Sequence, residues 1–281
     1  MAQATARRPQ CGAAQVMPRQ GGKIMILGPD RVAYAGLLGT PAVREFGCFT
    51  VYAALGRPIS ICREGAEWQS AELAVVPPYT PHRVATPERM IGVLMIEPER
   101  LDPARLPRFL QSGESFVLRD PALALGVQES FLRLMQGDYG HDLSGVDIDL
   151  LFFGRVLEER RLDPRIAAIV DRISREPHAQ LPAEEGARLA GLSFSRFLHL
   201  FKAEVGATFR GFRAWKRARS FLGYANGAPS LTDVALEIGY PDSTHFSHSI
   251  RQVYGLRPKD IFAGSRDLAI VRQPSARTDG R

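Results

Sequence analysis

The chain has 281 residues, of which 45% are hydrophobic and 23% charged, as is usual for a folded globular protein. This length exceeds one typical domain, and no run of about 18 apolar residues occurs, so we expect several domains and no membrane span. The N-terminal segment 1–22 carries a net positive charge and lacks the apolar core of a signal peptide. We therefore predict that it is a disordered tail. Cys11, Cys48 and Cys62 show no C-x-x-C spacing, which favours reduced thiols in a cytoplasmic protein.

Positive charge is concentrated in the C-terminal part of the chain. Residues 163–281 contain 18 lysines and arginines against 12 acidic residues, whereas residues 1–162 contain 18 of each sign. The whole net charge of +6 therefore lies after residue 162. Because attraction to phosphates supplies much of the affinity of DNA-binding domains, this placement points to nucleic acid as a partner.

Residues 23–100 alternate between short apolar runs and turn residues. The runs lie in KIMILGPD, RVAYAGLLG, CFTVYAAL, PISICREG, AELAVVPPYTPHRV and RMIGVLMIEP. Apolar runs bounded by Gly, Pro, Asp or Glu at a spacing of roughly ten residues indicate strands. This segment therefore predicts a small all-β sandwich or barrel.

Residues 101–162 change to helical periodicity. Apolar residues recur at helical spacing in 122–135 and again in 146–157, where the apolar stripe is wide for a lone surface helix. Two interpretations are compatible with this stripe: packing against the β domain, and a helical seam between two protomers. Pro164 can occupy the first turn of the next helix, so we place a domain boundary near residue 162.

A helix-turn-helix pattern covers residues 230–256, SLTDVALEIGYPDSTHFSHSIRQVYGL. Ser230 and Asp233 have the spacing of a helix capping box, and Gly239 lies in the predicted turn. Two short helices joined in this way place the second helix in the major groove of DNA. The outer face of that helix carries groups that suit base edges and phosphates. Those residues are Thr244, His245, Ser247, His248 and Arg251.

A looser copy of the pattern covers residues 181–206, LPAEEGARLAGLSFSRFLHLFKAEVG. Its first helix contains Gly186, and an interior glycine costs about 1 kcal/mol relative to alanine. We expect a packing gap there and a softer unit. Residues 208–226 predict a long helix between the two units, and its cations are interpreted as phosphate contacts or as a solvated face. They are Arg210, Arg213, Lys216, Arg217 and Arg219.

Residues 165–262 resemble the DNA-binding domain of the AraC/XylS family of bacterial transcription regulators. The resemblance is carried by IGYPDSTHFSHSIRQVYGLRPKDIF, with its Gly-aromatic pair, Thr-His-Phe-Ser, aromatic-Gly and following Pro. It implies two helix-turn-helix units joined by a long helix, binding to double-stranded promoter DNA, contact with RNA polymerase and, most often, activation.

The same resemblance implies roles for individual residues. By position, Ser195, Leu198 and His199 match base contacts of the first unit, and Lys202 matches a phosphate contact beside the outward Arg196. In the second unit the outer-face residues named above match base or backbone contacts, and Arg251 matches a phosphate contact. Arg217 matches a position that is usually arginine in the family.

The segment AVVPPYTPHR at residues 74–83 resembles the strand and Pro-His turn of cupin-like sensor domains. The resemblance implies an effector site, for which Tyr79 and His82 are the candidate ligand contacts. A catalytic cupin metal site needs about three protein donors, but His82 is the only histidine before His141. We therefore predict no metal, no cofactor and no catalysis. The structural interpretation of His82 is a strand-start residue held by a backbone hydrogen bond.

The sequence thus predicts a multidomain α and β protein. A cupin-like β-barrel or sandwich (23–100) and a helical segment (101–162) precede an all-α double helix-turn-helix domain (163–265) and a loose tail (266–281). We interpret it as a sequence-specific transcription regulator whose N-terminal domain senses an unknown small molecule, forms a homodimer, or both. Two alternatives stay open: a cupin-fold metal-dependent enzyme with an accessory helical domain, and a DNA-binding regulator without a ligand.

Overall fold

The computed structural model describes residues 22–111, 113, 115–140, 142–227 and 230–274. The prediction of a disordered N-terminal tail therefore lies outside the described residues, as does Cys11. Cys48 and Cys62 are buried free thiols. In the described part of the chain, no helix has both the length and the apolar character needed to cross a membrane.

The N-terminal domain is built from eight strands that form two sheets. They are β1 (Lys23–Leu27), β2 (Arg31–Leu37), β3 (Phe49–Ala54), β4 (Ile59–Arg63), β5 (Gln69–Ala71), β6 (Leu73–Val76), β7 (His82–Ala85) and β8 (Met90–Ile96). A ninth strand, β9 (Leu268–Arg272), comes from the far end of the chain. The larger sheet has the order β6-β3-β8-β2-β1-β9, and the smaller one β5-β4-β7. Two sheets in this arrangement form a sandwich rather than a closed barrel.

Strand β3, an interior strand of the larger sheet, is buried on both faces, because each face of that sheet packs against another layer. Tyr52 points to the core shared with the smaller sheet and the C-terminal helices. Val51 points to the opposite core, which contains Phe131. Strands buried on both sides are nearly continuous in apolar residues, which explains why CFTVYAAL shows no polar alternation.

Two helices, α1 (Pro121–Gln136) and α2 (Ile148–Phe153), cover the outer face of the larger sheet. The two helices pack together through Phe131 of α1 and Phe152 of α2, whose ring centroids lie 4.5 Å apart. Gly92 of β8 has no side chain, which leaves room for the Phe131 ring against the sheet. The second helix is shorter than its apolar stripe, since Gly154 adopts a left-handed conformation (φ 65°) and ends it.

The C-terminal domain consists of seven helices within the described residues. They are α3 (Pro164–Arg175), α4 (Ala183–Leu189), α5 (Phe194–Val205), α6 (Phe209–Ser220), α7 (Leu231–Glu237), α8 (Ser243–Tyr254) and α9 (Pro258–Gly264). Helices α4 and α5 form the first helix-turn-helix unit, and α7 and α8 the second. The prediction of an N-terminal β domain followed by an all-α double helix-turn-helix domain is confirmed.

The connecting helix is shorter than predicted. Thr208 caps α6 by accepting a hydrogen bond from Gly211 N at 3.1 Å, and α6 ends at Ser220. A 3-10 turn, Phe221–Tyr224, continues it. The Phe221 ring then packs edge-on against Phe246 of the second unit, with 5.4 Å between the ring centroids.

The expected packing gap at Gly186 does not exist. A Cβ at this position would lie 2.8 Å from the Phe197 ring, so the aromatic side chain of α5 already fills the space. Gly186 therefore allows α4 and α5 to approach closely. The sequence pattern of α4 alone predicts a gap, because it does not show that the large Phe197 ring of the next helix occupies this space.

The tail at 266–281 is not loose throughout. Residues Leu268–Arg272 form β9, which pairs in parallel with β1 from Lys23↔Leu268 to Leu27↔Arg272. Leu268, Ala269, Ile270 and Val271 are buried. The C-terminal end of the chain thus completes the edge of the N-terminal sheet, while residues 275–281 lie outside the described part.

A buried ion cluster also joins the two domains. Glu97, at the end of β8, receives a hydrogen bond from Trp215 Nε1 at 2.9 Å. Its carboxylate lies 3.0 Å from Lys216 Nζ and 2.8 Å from Arg219 Nε. Glu99 lies 2.6 Å from the same Lys216 Nζ. From the sequence, Lys216 and Arg219 are interpreted as phosphate contacts or solvated cations. In the structure they instead form ion pairs that connect α6 to the end of β8.

Candidate DNA-binding surface and interdomain cavity

The start of α8 is set by Asp242. Its carboxylate accepts hydrogen bonds from Thr244 N and His245 N, both at 2.8 Å, which satisfies free donors of the first turn. The same side chain lies 2.7 Å from His245 Nδ1. Hydrogen bonds with the backbone and side chain of His245, and with the backbone of Thr244, lower the pKa of Asp242. His245 is therefore held at the helix start, with its ring still exposed.

The turn before α8 requires a glycine. Gly239 has φ +84°, and a Cβ there would collide with the His178 backbone. Behind the helix, Phe246 and Ile250 are fully buried, and Tyr254 nearly so. One face of α8 is thereby locked onto the domain core, and the other is left to solvent.

That outer face carries the residues predicted for DNA contact. Thr244, His245, His248 and Arg251 are exposed, and Ser247 is half-buried. Hydroxyl and imidazole groups suit base edges, and a guanidinium suits phosphate. The structure brings all five together on one helix.

Helix α5 presents the matching face of the first unit. Ser195, Arg196, His199 and Lys202 are exposed. Leu198 is half-buried and packs against the core of that unit. Ser193 occupies the N-cap position, but its side chain makes no capping hydrogen bond. Four polar groups of α5 are thus available, whereas Leu198 divides its surface between core and solvent.

Arg217 is placed differently from the other predicted contacts. It lies on α6 and is half-buried, with its guanidinium 5.3 Å from the Tyr240 ring centroid. A cation over an aromatic face is attracted by the ring quadrupole. Arg217 therefore stabilises the contact between the connecting helix and the second unit.

The candidate ligand contacts of the N-terminal domain point elsewhere than expected. His82 is fully buried, with Nδ1 2.8 Å from Thr80 O and Nε2 2.7 Å from the Tyr52 hydroxyl. Tyr79 packs against the core of the first helix-turn-helix unit. Neither residue lines the cavity described below. The described residues contain no cluster of three or more metal-ligating side chains.

Burial lowers the pKa of His82 to about 4, against an opposing hydrogen bond to Thr80 O and with a further lowering by Arg44. The unfolded chain therefore binds the proton first, and stability is lost as pH falls from about 6.5 towards 4. At pH 5 this costs about 2 kcal/mol relative to pH 7. Urea unfolding at both values should show the loss in the wild type and a smaller loss in His82→Gln. Equal losses would contradict a neutral buried imidazole.

A cavity of about 390 Å³ lies between the larger sheet and the C-terminal helices. Its sheet wall includes Met25, Val32, Val93, Met95 and, from β9, Leu268, and its helical wall includes Leu222, Tyr254, Leu256 and Ile261. This cavity could not be predicted from the sequence, because its walls come from residues that are more than 120 positions apart. The one signal was Arg44, a cation between two apolar strands.

Comparisons with known proteins bear on both domains. Residues 187–264 match a family model described as a helix-turn-helix domain. Over 72 residues the chain is 29% identical to the invasion protein InvF of Salmonella typhi, and equally to InvF of Salmonella typhimurium. That match covers 25% of this chain and 33% of InvF, so the chain spans about a third of the length of these relatives.

The likeness to solved structures extends over both domains. ToxT of Vibrio cholerae has a TM-score of 0.52 at 8% identity, covering 83% of this chain and 98% of ToxT. A second ToxT structure, without ligand, has a TM-score of 0.51 at 10% identity, covering 84% and 97%. At such identities the similarity shows a shared fold.

The fold defines a two-domain protein whose C-terminal domain contains two helix-turn-helix units. The family match favours the regulator interpretation over the alternative of a cupin-fold enzyme. The match to the helix-turn-helix family model agrees with the resemblance of residues 165–262 to the DNA-binding domain of AraC/XylS regulators.

Proposed function

We propose that the chain is a cytoplasmic, sequence-specific transcription regulator in which α5 and α8 read one face of promoter DNA. The observation that carries the proposal is the pair of outward polar helix faces, each backed by a buried aromatic core. In α5 that core contains Phe197 and Phe201, and in α8 it contains Phe246. Two such helices on one face of a duplex contact major-groove segments about 34 Å apart, one helical turn.

In-vitro selection from random duplex DNA tests this proposal. We expect a motif of two boxes about ten base pairs apart. His199→Ala and His248→Ala should each relax one box and weaken binding by roughly 1–3 kcal/mol, the usual value of a good base contact. His178→Ala is the matched control, since His178 is exposed outside both reading helices. Absence of any enriched motif would contradict the proposal.

A salt titration on the selected duplex separates phosphate contacts from base contacts. Binding should weaken steeply with salt, because each phosphate contact releases a counterion. Lys202→Gln and Arg251→Gln should each reduce the slope by about 0.9 without changing the selected motif. An unchanged slope in both variants would remove these two residues from the interface.

We further propose that the N-terminal domain forms a homodimer through α1 and α2. Leu125, Leu132 and Leu150 of these helices are 65%, 42% and 54% exposed. Leu125 and Leu132 lie seven residues apart, so they share one helix face. Sedimentation should show a dimer that Leu125→Lys/Leu132→Lys converts to a monomer, whereas Leu236→Lys on α7 has no effect. A monomeric wild type would contradict this arrangement.

The interdomain cavity is the proposed effector site, in place of Tyr79 and His82. Its walls belong to both domains, so an occupant would contact the sheet and the second helix-turn-helix unit together. A ligand changes DNA affinity to the extent that it binds the DNA-competent form differently. Contact with RNA polymerase and transcriptional activation are the remaining roles that we propose, from the resemblance to the AraC/XylS family.

A further inference from the structure

The cavity between the domains is mostly apolar, and it contains one buried cation. Arg44 lines the cavity, between the hydrophobic side chains of the sheet and those of the C-terminal helices. It is only 5% exposed. Its backbone is fixed by two hydrogen bonds with His82, from Arg44 N to His82 O at 3.0 Å and from His82 N to Arg44 O at 3.1 Å. The residue is therefore held in place at the cavity wall.

The guanidinium of Arg44 has unused donors. Its Nε and Nη2 atoms are buried without a hydrogen-bond partner. Among the described residues, no carboxylate lies within ion-pair distance of it, in contrast to Arg31, which pairs with Asp149 at 2.8 Å. A buried cation normally has an anionic partner, because burial without one is costly.

The neighbours of Arg44 do not supply the missing negative charge. Burial lowers the pKa of His82 to about 4, so its imidazole is neutral at physiological pH. Burial raises the pKa of Tyr52, so its hydroxyl is neutral as well. That hydroxyl is already engaged with His82 Nε2. The local environment therefore leaves a full positive charge facing the cavity.

We propose that the cavity binds an amphipathic organic acid, whose carboxylate pairs with Arg44 and whose apolar body fills the space between the two domains. The planar guanidinium matches the two oxygens of a carboxylate. Met25, Val93 and Met95 on the sheet side and Leu222 and Ile261 on the helical side suit a hydrocarbon body. The volume of about 390 Å³ falls in the usual range of small-molecule sites.

This inference rests on the proposed effector function and names the chemistry of the effector. The occupant would contact Tyr254 and Leu256 at the end of α8, the helix that carries the second reading face. Ligand binding and DNA binding then share a structural element. If ligand binding changes the affinity for DNA by some factor, DNA binding changes the affinity for the ligand by the same factor.

The test uses the full-length protein and a series of linear alkyl carboxylates from six to fourteen carbons, kept below micelle-forming concentrations. Primary alcohols and primary amines of equal length are the matched ligands. Calorimetry and thermal unfolding should show that carboxylates of one length range bind and raise the melting temperature. The alcohols should bind at least about tenfold more weakly, because they lose the ion pair, and the amines should not bind.

Variants of Arg44 separate a binding role from a structural one. Arg44→Met should leave the melting temperature of the free protein unchanged or higher, since an unpaired buried charge is removed, and should abolish the preference for carboxylate over alcohol. Arg44→Lys keeps the charge without the planar fork and should bind carboxylates with intermediate affinity. Arg83→Met, on the exposed side of β7, is the control and should behave like the wild type.

Three results would overturn the inference. They are equal binding of carboxylates and alcohols by the wild type, an unaltered preference in Arg44→Met, and a loss of folding in both Arg44 variants, which would make the arginine structural. Selection of DNA is measured separately on the same preparations. Recovery of the two-box motif without carboxylate binding would reject the ligand alone, whereas failure to select any motif would reject the regulator.

Discussion

Replacing Glu97 with glutamine is expected to lower the free energy of unfolding by about 3–5 kcal/mol, the usual cost of breaking a buried ion pair. Glu97 is 1% exposed. The attraction of Lys216 and Arg219 outweighs burial and lowers the pKa of Glu97. The amide would leave these two cations buried with much less compensation. Urea unfolding followed by Trp215 fluorescence, in a Trp68→Phe background that removes the second tryptophan, would measure the change, because the Trp215 indole donates to Glu97.

Two comparisons make the Glu97 experiment specific. Glu88→Gln removes an exposed partner of Arg57, and pairs of that kind are worth about 1 kcal/mol or less. A double variant, Glu97→Gln/Lys216→Met, should recover part of the lost stability, because it removes one of the uncompensated cations. If Glu97→Gln were no more harmful than Glu88→Gln, the cluster would not hold the domains together.

Truncating Ile270 to alanine is expected to cost about 2–5 kcal/mol, as for other buried isoleucines. Ile270 lies opposite Met25 in the β9–β1 ladder and packs in the core shared by the two domains. Its removal should therefore destabilise the N-terminal sheet and the helical domain in one transition. Urea unfolding monitored by far-ultraviolet circular dichroism would report both domains.

The control for this strand is Arg266→Ala, an exposed residue just before β9. Surface changes of this kind usually alter stability by less than about 0.5 kcal/mol. A loose tail, as the polar composition suggested, would make Ile270→Ala equally mild. The two variants thus decide between a strand that belongs to the core and a segment that lies on the surface.

The second helix-turn-helix unit could be predicted almost completely from the sequence, because its determinants are local. Ser230 accepts a hydrogen bond from Thr232 N at 3.2 Å, as its position before an apolar-periodic segment suggested. Gly239 and the inward Phe246 followed from the same short stretch. Most of the β strands were equally visible, because each is an apolar run bounded by turn residues.

The contacts between the domains could not be predicted, because they depend on partners that are far apart in the sequence. Lys216 and Arg219 have the appearance of ordinary cations on a helix, and nothing nearby indicates that Glu97 and Glu99 lie against them. Strand β9 is a five-residue run whose partner, β1, lies near the other end of the chain. The interdomain cavity was missed for the same reason.

The parallel pairing of β9 with β1 has a consequence for biosynthesis. Lys23 and Leu268 are neighbours in the finished sheet, but they leave the ribosome roughly 12–50 s apart at the usual rates of synthesis of about 5–20 residues per second. During that interval the hydrogen-bonding edge of β1 is open, and open edges invite pairing with other chains. The nascent chain should therefore depend on chaperones until β9 has emerged.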